Sequence, residues 1–87
     1  MSQSPDTDPL DALTNSVRRG ILVALRESGS LSVNEIAARF PEKSRPTISH
    51  HLRILREAGL ITSRRRGQER LYAVDLEAVA RIYHQMF

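Results

Sequence analysis

Ser44, Arg45, Thr47, Ser49, His50 and Arg53 fall within one short stretch of the chain. Arg64, Arg65, Arg66 and Arg70 crowd a second, with Gln68 among them. No nucleophile elbow, glycine-rich phosphate loop or metalloprotease motif accompanies either set. What guanidinium groups and hydroxyls do together is hold phosphates and base edges. The arginine fork matches a phosphate or the two acceptors of guanine, and a hydroxyl adds a less selective bond. From Lys43 to Arg70 there are eight basic and two acidic residues, +6, whereas the rest of the chain holds five basic and eight acidic, −3. So one-sided a segment implies a polyanionic partner, with a solvated basic face as the plain alternative.

These groups need a scaffold, and the scaffold is small. Eighty-seven residues, 40% apolar and 26% charged, give one globular domain with a modest core. A second copy would add buried surface. Cysteine is absent, so disulfides and thiolate metal sites are excluded. No apolar run is long enough to span a membrane, and the acidic, polar start from Met1 to Pro9 lacks the pattern of a signal peptide. The composition therefore implies a cytoplasmic chain with no membrane partner. No enzyme activity, metal or cofactor is expected.

The pattern predicts a disordered lead-in over residues 1–8 and a domain over 9–87. Leu10, Leu13, Val17, Ile21, Leu22 and Leu25 recur at helical spacing, and a cap at Asn15 or Ser16 would divide them into two helices. Gly29 ends the run. Ser32 and Glu35 have the form of a capping box before Ile36, Ala37 and Phe40, and Pro41 stops that helix. Ser44 can cap a further helix, with Pro46 tolerated in its first turn and Gly59 at its end. Leu60–Ser63 and Leu71–Val74 are β-prone, and the arginines between them form a basic hairpin tip around Gly67. Asp75 caps a last helix through Leu76, Val79, Ala80, Ile82, Tyr83, Met86 and Phe87.

Two short helices joined by a tight turn, followed by a β-hairpin, make a winged helix-turn-helix, mainly α with a small hairpin (α+β). In that arrangement the second helix enters the major groove of duplex DNA while its neighbour braces it. At about 100° per residue, Ile48, Leu52 and Leu55 share one side of the 44–58 helix. His50, Arg53 and Glu57 take the opposite side, with Thr47 and Ser49 on the flanks. Ser44, Arg45 and Thr47 stand at the N-terminal end, where base edges or a phosphate are met. Glu57 is assigned to solvent or to a nearby arginine. In the hairpin, arginine suits a narrow, electronegative minor groove. Strand alternation sends Arg64 and Arg66 one way and Arg65 the other.

The run from Thr47 to Ile61, with its Ser-His-His-Leu and Ala-Gly-Leu segments, resembles the DNA-binding core of ArsR-type winged-helix repressors. Gly67 to Val74 is similar to that family's returning wing strand, and Val17 to Leu22 to its arginine-rich helix start. The resemblance covers residues 10–87. It implies a symmetric homodimer, built by the first and last helices, on a palindromic operator. Two features depart from the family pattern: a turn through Pro41, Glu42 and Lys43 that is one residue longer, and Pro46. Either changes the aim of the helix start, on which the assignment of Arg45 to a base depends. Many relatives sense metals through paired cysteines or through Asp and His ligands on the last helix. The first set is impossible here. Asp75, Glu77 and His84 make a poor second set, because the carboxylates point apart and His84 lies about two turns away. His50 and His51 also diverge; His50 is assigned to DNA, and His51 to packing against the core or the wing.

The last helix carries two apolar stripes, Leu76, Ala80, Tyr83 and Phe87 on one and Val79, Ile82 and Met86 on the other. A surface helix needs one. The surplus implies a second chain or a terminal helix that caps the core. The dimer reading places Leu10, Leu13, Val17, Val79, Ile82, Tyr83, Met86 and Phe87 at the interface. Two functions are then open. One is a sequence-specific, duplex-binding transcriptional repressor, with any inducer unknown. The other is a winged-helix module for protein contacts, which would not need the basic hairpin. Single-stranded nucleic acid fits less well, since aromatic residues amount to 5%.

Overall fold

A computed structural model describes residues 8–86, Met86 through its backbone alone. Seven of the eight lead-in residues, Phe87 and the side chain of Met86 lie outside the described residues. The elements run α1 (Pro9–Ala12), α2 (Ser16–Ser28), β1 (Leu31–Ser32), α3 (Val33–Ala38), α4 (Arg45–Glu57), β2 (Ile61–Arg66), β3 (Glu69–Val74) and α5 (Leu76–Met86).

Side-chain caps set the helix starts, each worth about 1 kcal/mol over alanine. Asn15 Oδ1 accepts from the backbone N–H groups of Val17 and Arg18, which separates α2 from α1. Ser32 and Glu35 form a reciprocal capping box, with Glu35 Oε1 accepting from the Ser32 N–H at 2.8 Å. That bond is the main reason the Glu35 carboxyl is held below its ordinary range. Ser44 Oγ accepts from the Thr47 N–H, and Asp75 Oδ1 from the Ala78 N–H.

The end of α4 is as well defined as its start. Gly59 has φ +79°, its N–H donates to the Arg56 carbonyl, and the Leu60 N–H donates to the Leu55 carbonyl. This is a Schellman closure, and the two residues whose side chains usually meet across it, Leu55 and Leu60, are both fully buried. The chain thereby leaves the helix directly into β2.

Ile21 and Leu25 of α2, Ile36 of α3, and Ile48, Leu52 and Leu55 of α4 meet in one core. Ala37 and Phe40 pack against it half-buried, as their spacing implies. Burial of each large aliphatic side chain contributes about 1.5–3 kcal/mol before entropy is counted.

The sheet differs from a simple hairpin. It has three antiparallel strands in the order β1-β3-β2, with Leu31 opposite Tyr72 and Ser32 opposite Leu71. A two-residue strand has too little pattern to be read from sequence, and its Ser32 also serves as the α3 cap. The second difference concerns the arginines. Arg64, Arg65 and Arg66 belong to β2 itself, paired with Leu71, Arg70 and Glu69. The tip is only Gly67 and Gln68. Gly67 has φ +63° and no other residue type has a positive φ among the described residues, the pattern of a type II′ turn.

Candidate nucleic-acid interface

Helix α4 presents two unlike faces. Ile48, Leu52, Ile54 and Leu55 are buried, whereas Ser49, His50, Arg53 and Glu57 are exposed. Ser44 and Arg45 are exposed at the helix start, and Thr47 is half-buried with its hydroxyl 2.9 Å from Ser44 Oγ. Ser44 therefore spends its oxygen on the cap while staying at the surface. Pro46 occupies the first turn, where a missing N–H costs no helical bond. The turn at Pro41–Lys43 is closed by the Lys43 N–H donating to the Phe40 carbonyl. It leaves Arg45 as the first residue of the helix.

The outer face of α4 has its own charge network. Arg53 Nη1 lies 3.6 Å from Glu57 Oε2, and Arg53 Nη2 lies 3.1 Å from His50 Nδ1. Glu57 is thus paired with an arginine. Arg53, with about half of its side chain exposed, remains open to a further partner.

The strand register sorts the hairpin arginines by face. Opposed residues of an antiparallel pair share a side. Arg64 and Arg66 therefore stand with Leu71 and Glu69, and Arg65 with Arg70 and Ser63. Arg70 Nη1 donates to Ser63 Oγ at 3.1 Å, and Arg65 Nε donates to the Gly67 carbonyl. Arg66 contributes to holding the Glu35 carboxyl in its charged form, so it stands in the field of an acidic group. All four arginines and Gln68 are exposed. Because α4 packs against β2, the hairpin is fixed relative to the helix.

The expected dimer residues divide. Leu10 and Tyr83 are exposed, and Leu13, Val17 and Val79 are half-buried against the core. Ile82 is 5% exposed and packs within this chain's own core, so it has little surface to offer a partner. The reason is the phase of α5. Ala78 and Ile82, four residues apart, face inward, while Leu76, Val79 and Tyr83 share the outer side. Met86 and Phe87 have no described side chains, so their interface assignment falls outside the described residues. An open apolar groove runs between α2 and α5, lined by Leu10, Leu13, Leu22, Val23, Leu76, Val79 and Tyr83. Val23 is exposed despite its type, and its one signal in the sequence is that it lies off the inward stripe of α2.

His51 is buried, as its packing role implies, but its polar partner is Arg18 of α2 rather than the hairpin. Arg18 itself is legible in the sequence only as part of an arginine-rich helix start. Its position three, four and seven residues before Ile21, Leu22 and Leu25 is the available signal, since it places an arginine on the core stripe. Among the described residues no cluster of three metal-ligating side chains occurs, and no helix is long and apolar enough to cross a membrane.

Comparison with known proteins agrees with this architecture. The family model for bacterial regulatory proteins of the arsR family matches residues 15–63. The chain is 38% identical over 78 residues to an HTH-type transcriptional regulator of Mycobacterium tuberculosis, covering 90% of this chain and 70% of that protein. It is 39% identical over 64 residues to the transcriptional repressor SdpR of Bacillus subtilis, covering 74% and 69%. Among solved structures, a possible transcriptional regulator for arsenical resistance superposes with a TM-score of 0.82 at 40% identity, covering 91% of this chain and 80% of the other. HlyU from Vibrio cholerae gives 0.71 at 32% identity, covering 90% and 86%. The chain therefore belongs to the arsR family of bacterial regulatory proteins: it is a winged helix-turn-helix transcriptional regulator that binds DNA, and not an enzyme.

Proposed function

We propose that this regulator works as a homodimeric repressor on a palindromic operator. The exposed side of α4 lies in the major groove, and the β2–β3 hairpin lies along the adjacent minor groove or its phosphates. The observation that carries this reading is the distribution of charge. Arg45 and Arg53 on α4 and the four hairpin arginines are all exposed, while the acidic surplus sits elsewhere in the chain. Arg45, at the first turn, is the best candidate for a bidentate contact to guanine, with Ser44, Thr47 and Ser49 as less selective donors. His50 and Arg53 reach further along the groove. Arg64, Arg65, Arg66 and Arg70 supply affinity through phosphates, and Gln68 adds a polar contact at the tip.

The apolar groove between α2 and α5 supports the dimer. Leu76 and Tyr83, each about 60% exposed, line the same groove, and contiguous exposed apolar side chains mark an interaction surface. A second copy covering this groove would set two α4 helices about 34 Å apart, one turn of DNA. Repression follows by occupying the promoter, in keeping with the relative SdpR, a transcriptional repressor. The cytoplasm is the compartment in which such a site is found.

The experiment is a titration of duplex DNA against salt with wild type and an Arg64→Ala/Arg66→Ala variant. Wild-type affinity should fall steeply with salt. The variant should bind more weakly, with a log–log slope shallower by about 0.9 for each phosphate it no longer neutralises. Unchanged affinity and slope would leave the hairpin as a protein-contact element.

A further inference from the structure

Arg18 is 8% exposed, yet among the described residues no carboxylate lies within ion-pair distance of it. A buried cation without a counter-ion must be satisfied by hydrogen bonds. Its Nε donates to the Ala12 carbonyl at 2.8 Å and its Nη2 to the Asp11 carbonyl at 3.3 Å, both at the end of α1. Its Nη1 faces His51 Nδ1 at 3.2 Å, in the middle of α4. A guanidinium group can only donate. The His51 Nδ1 in this contact is therefore a lone pair, and the ring proton sits on Nε2.

We propose that Arg18 is a positioning residue for DNA binding: its guanidinium latches α4 to the carbonyl end of α1 through His51, and only the neutral imidazole closes the latch. The inference rests on the reading of α4 as the helix that meets DNA. One planar group joins α1, α2 and α4, so the inclination of α4 depends on it. Protonating His51 turns its Nδ1 from acceptor to donor and sets a second cation against the first. The charged and titratable groups around His51 are Arg18 on α2, Lys43 on the turn before α4, and His50 on α4 itself. None of them is acidic, and α1 turns backbone carbonyls toward the site. Burial, then the Arg18 charge, hold the His51 imidazole below its ordinary range. The latch is thus shut at neutral pH and opens on acidification. The sign is diagnostic, because a proton gained on an exposed imidazole at a DNA-facing surface strengthens phosphate binding.

The test is fluorescence anisotropy with a duplex enriched from a random library at neutral pH, followed from about pH 7.5 to about 5.5 at a temperature where the protein stays folded. Wild-type affinity should fall severalfold relative to His51→Asn. His51→Asn keeps an acceptor near the Nδ1 position but cannot titrate, and its affinity should stay level or tighten on acidification. Arg18→Met should bind severalfold more weakly already at neutral pH and show no further acid loss. Parallel acid profiles for wild type and His51→Asn would overturn the latch. If Arg18→Met does not fold, the His51→Asn profile decides, together with imidazole nitrogen NMR of the wild type. That spectrum should show His51 as the Nε2–H tautomer at neutral pH; the Nδ1–H tautomer would overturn the proposal. Absence of duplex binding at neutral pH would defeat the DNA reading itself, whereas binding whose acid dependence is unchanged by His51→Asn defeats only the latch.

Discussion

Arg53 and Glu57 form an ion pair one turn apart on the outer face of α4, with Nη1 3.6 Å from Oε2. Both side chains are well exposed, so the pair adds at most about 0.5 kcal/mol to stability. Its larger effect is on binding, because it occupies one of the two cations of the helix that face solvent beyond the first turn, Arg53 and Arg56. Glu57→Gln should release Arg53 to a phosphate. Duplex affinity should rise severalfold, and the dependence of log affinity on log salt should steepen by about 0.9. A titration series in salt reads both, and an unchanged slope would mean that Arg53 does not reach the backbone.

The Ser44 cap supports a different prediction, on stability. Ser44 Oγ accepts from the Thr47 N–H at 3.2 Å and pairs with the Thr47 hydroxyl at 2.9 Å. Ser44→Ala should cost about 1 kcal/mol, and Ser44→Asp only a few tenths, since aspartate caps equally well. Urea unfolding measures this. Duplex binding separates the two effects: Ser44→Asp should keep the fold yet bind DNA more weakly, because it adds a negative charge at the helix end that meets the backbone.

The groove between α2 and α5 predicts the assembly state. Leu76 is 60% exposed, and its replacement should leave the monomer fold intact. Leu76→Glu should weaken self-association at least tenfold, about 1.4 kcal/mol. Sedimentation over a concentration series would show it, together with weaker cooperativity on a two-half-site duplex. If Leu76→Glu sediments like wild type, the groove is not the dimer contact.

Stability should also depend on pH in a stated direction. His51 is held below its ordinary value of 6.5, chiefly by burial. Between its folded and unfolded values the unfolded chain binds more protons, so stability is complete above 6.5 and is lost as pH falls through the folded value. Thermal unfolding from neutral pH downward should show this fall. His51→Asn should flatten it over the range where histidine titrates.

Much of this architecture is visible in the residues. The Ser32–Glu35 capping box, the Asn15 and Ser44 caps and Gly59 each act through local chemistry that a few neighbours determine, and the helices begin and end where those residues stand. Strand alternation likewise separates Arg65 from Arg64 and Arg66, and the register agrees. What stays hidden depends on distant partners. Strand β1 exists because Leu31 and Ser32 find Tyr72 and Leu71 some forty positions on. Ile82 faces inward because of the angle at which α5 docks, which its two apolar stripes do not specify. Arg18 carries a signal, a charge on an apolar stripe, but its partner His51 lies thirty-three residues away.

The most direct test of the DNA-reading dimer is selection of bound sequences from a random duplex library with the full chain, followed by salt-dependent affinity for the winner. The predicted result is an enriched inverted repeat with half-sites about one helical turn apart and a steep fall of affinity with salt. A library that shows no enrichment, with only weak and salt-labile binding, would contradict it.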